Sequence, residues 1–196
     1  MSNLPVALRV EPLVDALFEL RLEACPSIAD VFSGILFEKL ELSDPAERLS
    51  TADIPKQIRE ADPALKYAPT TRIKWDGFLI SMSDKSLIVS CDLSKPYPKW
   101  PKFKEAIIKV VELLGKLRIS GYVERFSIKY VNIIPANSLP EQLAKTKLDI
   151  SLGPIRVTQD NVNLRLQRNE DGFIQILTIV TGARGQSETG LSLIHI

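Results

Sequence analysis

The chain has 196 residues, of which 45% are hydrophobic and 25% charged, the proportions of a globular protein with one core of ordinary size rather than of a disordered one. Lysine and arginine number 25 against 24 aspartates and glutamates, so the net charge of +1 gives no one-signed field of the kind that marks a dedicated nucleic-acid or anionic-membrane binder. The apolar runs fall well short of the roughly 20 residues that span a bilayer.

From the N-terminus, Val14 to Leu22 alternates: Val14, Ala16, Phe18, Leu20 and Leu22 share one face, while Asp15, Glu19 and Arg21 share the other. Period two predicts a strand with one wet face. Ile28, Val31, Phe32, Ile35, Leu36 and Leu40 then recur at helical spacing behind Ser27, a residue suited to cap the helix, which ends before Pro45. Residues 44–69 are polar and carry four prolines, which predicts mostly loop with a short helical turn near Lys56 to Ala61.

The period returns to two from Arg72. Asp76-Gly77 and Asp84-Lys85 divide this stretch into three antiparallel strands, Arg72–Trp75, Phe78–Ser83 and Ser86–Leu93. Pro101 is placed at a helix start, and Phe103, Ile107, Val110, Val111, Leu114 and Leu117 make an apolar stripe behind it. Tyr122 to Ile134 predicts a long strand, stopped by Pro135. Beyond it come a short helix at Leu139–Lys145, a short strand at Leu148–Leu152, and two further strands meeting at a turn in Asn169–Gly172. Residues 1–190 therefore read as a single α+β domain: an antiparallel sheet with two main helices packed on one face, in a helix-grip or ferredoxin-like arrangement.

Two groups of residues could carry recognition. The polar face of the first strand, with the long strand, offers Glu19, Arg21, Arg125, Lys129 and Asn132. Such residues pair across strands as ordinary ion pairs, or, if Asp15, Glu19 and Glu23 converge, hold a divalent cation for a hydrolase or nuclease. The stretch around Tyr97, Lys99, Trp100 and Lys102 interleaves rings with lysines, as a nucleic-acid surface does, although a bent loop entering a helix also needs apolar anchors. No phosphate-loop, dinucleotide, nucleophile-elbow or metalloprotease motif is present, and Ser90-Cys91-Asp92 has no histidine beside it to activate a nucleophile. The expectation is a non-catalytic protein without a cofactor that binds a partner protein or small ligand. The first ten residues lack the pattern of an export signal, and Cys25 and Cys91 lie outside any C-x-x-C pair, so the expected setting is the cytoplasm with both thiols reduced.

Four clusters, EPLVDALFELRL, TTRIKWDG, KPYPKW followed by Phe103, and VERFSIKYVNII, together resemble a sporadically distributed family of prokaryotic proteins to which no function is assigned. The matching residues are Pro12, Val14, Ala16, Glu19 and Arg21; Tyr97, Pro98, Trp100 and Phe103; and Arg125, Tyr130 and Asn132. Asp15, Leu22 and Lys129 depart from the family pattern, which has glutamate, phenylalanine and arginine there. The resemblance brings no catalytic residue with it, and its sporadic distribution would suit a defence or toxin–antitoxin setting.

Members of that family continue past a loop like residues 182–190 into another apolar strand and a long C-terminal helix. This chain instead ends LSLIHI, Leu191 to Ile196, the translation of CTGTCTCTTATACACATC, which resembles a transposon end used to prepare sequencing libraries. The expectation is a non-native tail at 191–196, a missing strand and helix, and no chemistry for His195, the chain's one histidine. An unpaired sheet edge or uncovered apolar patch should accompany the loss.

Overall fold

The computed structural model describes residues 12–23, 28–92, 94–117, 122–146, 149–157 and 161–181. Ser27, Cys25, residues 182–190 and the tail with His195 lie outside them.

The chain is α+β, built on a six-stranded antiparallel sheet. Its strands are β1 (Leu13–Leu22), β2 (Glu47–Arg48), β3 (Thr71–Trp75), β4 (Phe78–Met82), β5 (Ser86–Cys91) and β6 (Val123–Asn132), in the order β2-β3-β4-β5-β1-β6. β3, β4 and β5 form the expected meander, and β5 pairs antiparallel with β1 in a register that sets Phe18 opposite Val89 and Leu20 opposite Leu87. Hydrogen bonds from Glu23 N–H to the Tyr122 carbonyl (2.9 Å) and from Ile133 N–H to the Pro12 carbonyl (2.7 Å) bind the two ends of β6 to β1. Placing β6 beyond β1, after a second helix, is the split β-α-β choice of a ferredoxin-like arrangement, here extended by β3 and β2.

The period-two pattern decides which face is covered. Ala16, Phe18, Leu20 and Leu22 of β1 are buried, as are Ile73, Phe78, Ile80, Met82, Leu87 and Val89 of the meander. Against them lie α1 (Ile28–Lys39), through Ile28, Phe32 and Leu36, and α3 (Lys99–Gly115), through Phe103, Ile107, Val110 and Leu114. Removing such side chains from water stabilises the fold by about 1.5–3 kcal/mol each. Pro101 falls in the first turn of α3, where its missing N–H leaves no bond unmade.

The proline-rich stretch is more structured than its sequence implies. Beyond the short helix α2 (Lys56–Ala61), it holds β2 and a 3₁₀ turn at Ser50–Asp53. The Leu49 N–H reaches the Thr70 carbonyl at 2.9 Å, and the Thr70 N–H that of Met82 at 2.8 Å, so backbone bonds anchor the loop to the sheet despite the prolines.

The remaining elements are α4 (Leu139–Thr146), β7 (Ser151–Leu152), β8 (Ile155–Arg156), β9 (Asn163–Glu170) and β10 (Phe173–Val180). β7 pairs with β8, and β9 with β10. The described residues fall into two compact units, one from Asp15 to Lys129 and the other joining those up to Val14 with those from Tyr130 onward. The apolar side chains of β10 are not buried: Phe173 is 57% exposed and Ile174 64%.

Candidate functional site

Glu19 is the hub of the polar cluster within the Asp15–Lys129 unit. Its position on β1 turns it away from the helices, and its side chain is only 15% exposed. Two guanidinium groups compensate it: Arg21 Nε lies 3.1 Å from Oε1, and Arg125 Nη2 lies 3.5 Å from Oε2. The first contact is one of charge only. Arg21 Nε is buried and makes no hydrogen bond, so its N–H is not aimed at the carboxylate two residues back on the same strand.

Arg21 is positioned instead by stacking, its guanidinium carbon 4.1 Å from the centre of the Tyr67 ring. The Lys66 ammonium stands 4.8 Å from the same ring. Tyr67 is fixed at both ends: its hydroxyl donates to Glu124 Oε2 at 2.8 Å, and its carbonyl accepts from the Ser86 hydroxyl at 2.8 Å. Ser86 in turn accepts from Ser83 at 2.9 Å.

Of the residues singled out by sequence, the structure therefore brings together Glu19, Arg21 and Arg125. Lys129 contributes charge alone, pulling the Asp15 carboxyl partly back down; burial, the larger effect, holds that carboxyl above its ordinary value. Asn132, at the end of β6, belongs to the other compact unit. Asp15, Glu19 and Glu23 do not converge: among the described residues no group of three histidine, cysteine, aspartate or glutamate side chains is placed to hold a metal ion.

The aromatic and basic stretch is an anchor. Tyr97 and Trp100 meet the buried Phe103 ring edge-on, with centroids 6.4 and 6.2 Å away, and Phe103 stacks on Phe78 at 6.1 Å. Lys102 reaches Asp76 Oδ2 at 3.1 Å, and Lys99 opens the helix with a positive φ of 71°. Phe103 is wholly buried, Tyr97 is half-buried and Trp100 stays 42% exposed, so the two outer rings are seated on the core by one edge while part of their surface remains in solvent. Cys91 is buried and free, and burial, with the Asp15 charge adding, pushes its thiol up to about 11, so it is no nucleophile near neutral pH.

Tyr67, Lys66 and Glu124 escape a reading of the sequence. Tyr67 sits in the proline-rich segment, 57 residues from its partner Glu124, and nothing local signals that contact. No family model, curated protein or solved structure matches the chain. Among the described residues, no helix is long and apolar enough to cross a membrane.

Proposed function

We propose that this chain is a non-catalytic binding protein that recognises a partner protein or small ligand on the face formed by Glu19, Arg21, Tyr67 and Arg125. The observation that carries the reading is the bracing of Glu19: both its oxygens are matched to guanidinium groups, and Arg21 is held against a ring that is itself tied down. A carboxylate compensated in this way serves poorly as a base. Rigid, amphipathic groups of both signs suit recognition, because little ordering is left for the moment of binding. The reading takes the chain as a cytoplasmic relative of the prokaryotic family whose motifs β1 and β6 resemble, and the buried free thiol of Cys91 accords with a reducing compartment.

Affinity capture with mass spectrometry tests it, comparing the wild type with an Arg125→Gln/Lys129→Gln variant whose fold is checked by circular dichroism. A species retained by the wild type and lost by the variant supports the reading. Identical capture by both overturns the assignment of this face, and turnover of a captured small molecule overturns the non-catalytic role.

A further inference from the structure

A second feature of the Asp15–Lys129 unit is a shallow depression of about 20 Å³, open to solvent, between α2 and the β4–β5 turn. Four cations line it, Lys56, Arg59, Lys66 and Lys85, against two carboxylates, Glu60 and Asp84. The carboxylates are already engaged. Glu60 lies 4.0 Å from Lys56 and 3.7 Å from Lys85, and Asp84 lies 3.3 Å from Lys56.

That leaves Arg59 and Lys66, neither of which has a carboxylate within ion-pair distance among the described residues. Both are nevertheless held. Arg59 donates Nε to the Ile54 carbonyl at 3.1 Å, which fixes the plane of the guanidinium and leaves its two terminal nitrogens for another acceptor. Lys66 is kept 4.8 Å from the Tyr67 ring. The lining itself thus carries four cations to two carboxylates and calls for an anion; Lys66, which also bonds the Tyr67 side chain, feels the Glu124 carboxylate beyond it, so Arg59 is the less compensated of the two.

Size narrows the class. The depression holds about 20 Å³, against the roughly 300–1,000 Å³ of a pocket for a drug-sized ligand, so it takes one small anionic group and not a whole nucleotide. A carboxylate would offset one of the two cations; a doubly ionised phosphoryl group offsets both, and its three terminal oxygens can accept from a planar guanidinium and an ammonium at once. We propose that this cleft binds a phosphate-monoester dianion, with Arg59 and Lys66 as its principal contacts. The inference uses neither Glu19 nor Arg125, but it shares with the partner reading above the Tyr67 ring that holds Lys66, so the Arg125 variant serves to separate the two.

The experiment is a titration of the ¹⁵N-labelled protein at constant ionic strength with inorganic phosphate, phenyl phosphate and acetate. Saturable shifts are expected for phosphate and phenyl phosphate, centred on Arg59, Lys66 and the 83–85 turn. Affinity should weaken about tenfold in Arg59→Gln and in Lys66→Gln, and stay unchanged in Arg125→Gln. Arg59→Lys, which keeps the charge but not the planar fork, should give an intermediate loss and guards against a folding defect in Arg59→Gln. Because the second ionisation of a phosphate monoester falls near pH 6, binding of phenyl phosphate should strengthen between about pH 5 and 7.5, whereas a carboxylate ligand would show no such rise. Tighter binding of phenyl phosphate than of inorganic phosphate would point to an esterified ligand, and equal binding to the free ion. Shifts that fail to saturate, equal affinity in the Arg59 and Lys66 variants, or an acetate response equal to that of phosphate would overturn the proposal.

Discussion

The β3–β4 and β9–β10 hairpins turn on the same dipeptide with nearly the same backbone: Asp76-Gly77 at φ 45° and 83°, Asp171-Gly172 at φ 50° and 80°. Both bring apolar residues to the strand after the turn. In the first, Ile80 and Met82 are wholly buried; in the second, Phe173, Ile174 and Ile176 are each at least half exposed. The turn is chosen locally, because two successive positive φ values suit Asp-Gly and match the right-handed twist of the strands. Burial is not chosen locally. β3 and β5 have α1 and α3 laid against them, whereas β9 and β10 make their contacts chiefly with each other.

The largest effect should come from the covered hairpin. Phe103 is the ring on which Phe78, Tyr97 and Trp100 converge, so Phe103→Ala opens a cavity under the sheet and should cost about 3–5 kcal/mol in urea unfolding. A loss below ~1 kcal/mol would show that the helix layer does not hold the meander as described.

The two turn glycines compare the hairpins directly. An added Cβ at Gly77 would meet only Lys95 Cδ at 3.6 Å, and one at Gly172 would meet nothing within 4 Å, so positive φ is the common source of strain. Each alanine should cost about 1 kcal/mol locally. For Gly77→Ala the loss should appear in global unfolding. For Gly172→Ala it should appear as faster amide exchange in β9 and β10 with the main transition little changed, because a two-stranded ribbon opens without the core.

This contrast also separates what the sequence made legible from what it did not. β1, the meander, α3 and β6 could be read because each rests on signals a few residues apart: alternation, Asp-Gly turns, and a stripe of apolar residues behind a proline. β2 and β8 were missed, as two-residue strands exist only through the partner they pair with. Glu19, Arg21 and Arg125 were found because strand faces follow from period two. Tyr67 and the Arg59–Lys66 cleft were not, since loop closure over tens of residues brings them to the sheet. An uncovered apolar patch is expected from the sequence, but its place on β10 is not: Phe173 to Val180 has the composition of a strand covered on both sides, and a sequence records the demand for cover without recording what supplies it.

The face of the sheet turned away from the helices manages exposure by charge. Arg21→Ala removes the stacking on Tyr67 and one partner of Glu19 together, and should cost about 1 kcal/mol, most of it retained in high salt because the ring contact is screened less than the ion pair. Asp15 should respond in the opposite sense. Burial raises its carboxyl pKa in the folded state, so ionised Asp15 lowers stability, and that cost grows as pH rises from below 3.8 through the folded value. Asp15→Asn should therefore raise the melting temperature slightly at pH 7 and leave it unchanged near pH 3. A gain that persists at pH 3 would assign the effect to packing.

The smallest effect belongs to the uncovered strand. Ile174 is 64% exposed and keeps most of its surface in water when folded, so Ile174→Ser forfeits little transfer free energy and should change stability by no more than about 0.5 kcal/mol. An isoleucine at a covered position, such as Ile80, would cost several times more on the same substitution, since burying a hydroxyl adds to the lost contacts. Solubility should nonetheless improve in Ile174→Ser, because the variant shrinks an exposed apolar patch that favours association at high concentration. A large fall in stability with unchanged solubility would mean that Ile174 is covered in solution, and the contrast between the hairpins would then rest on their turns alone.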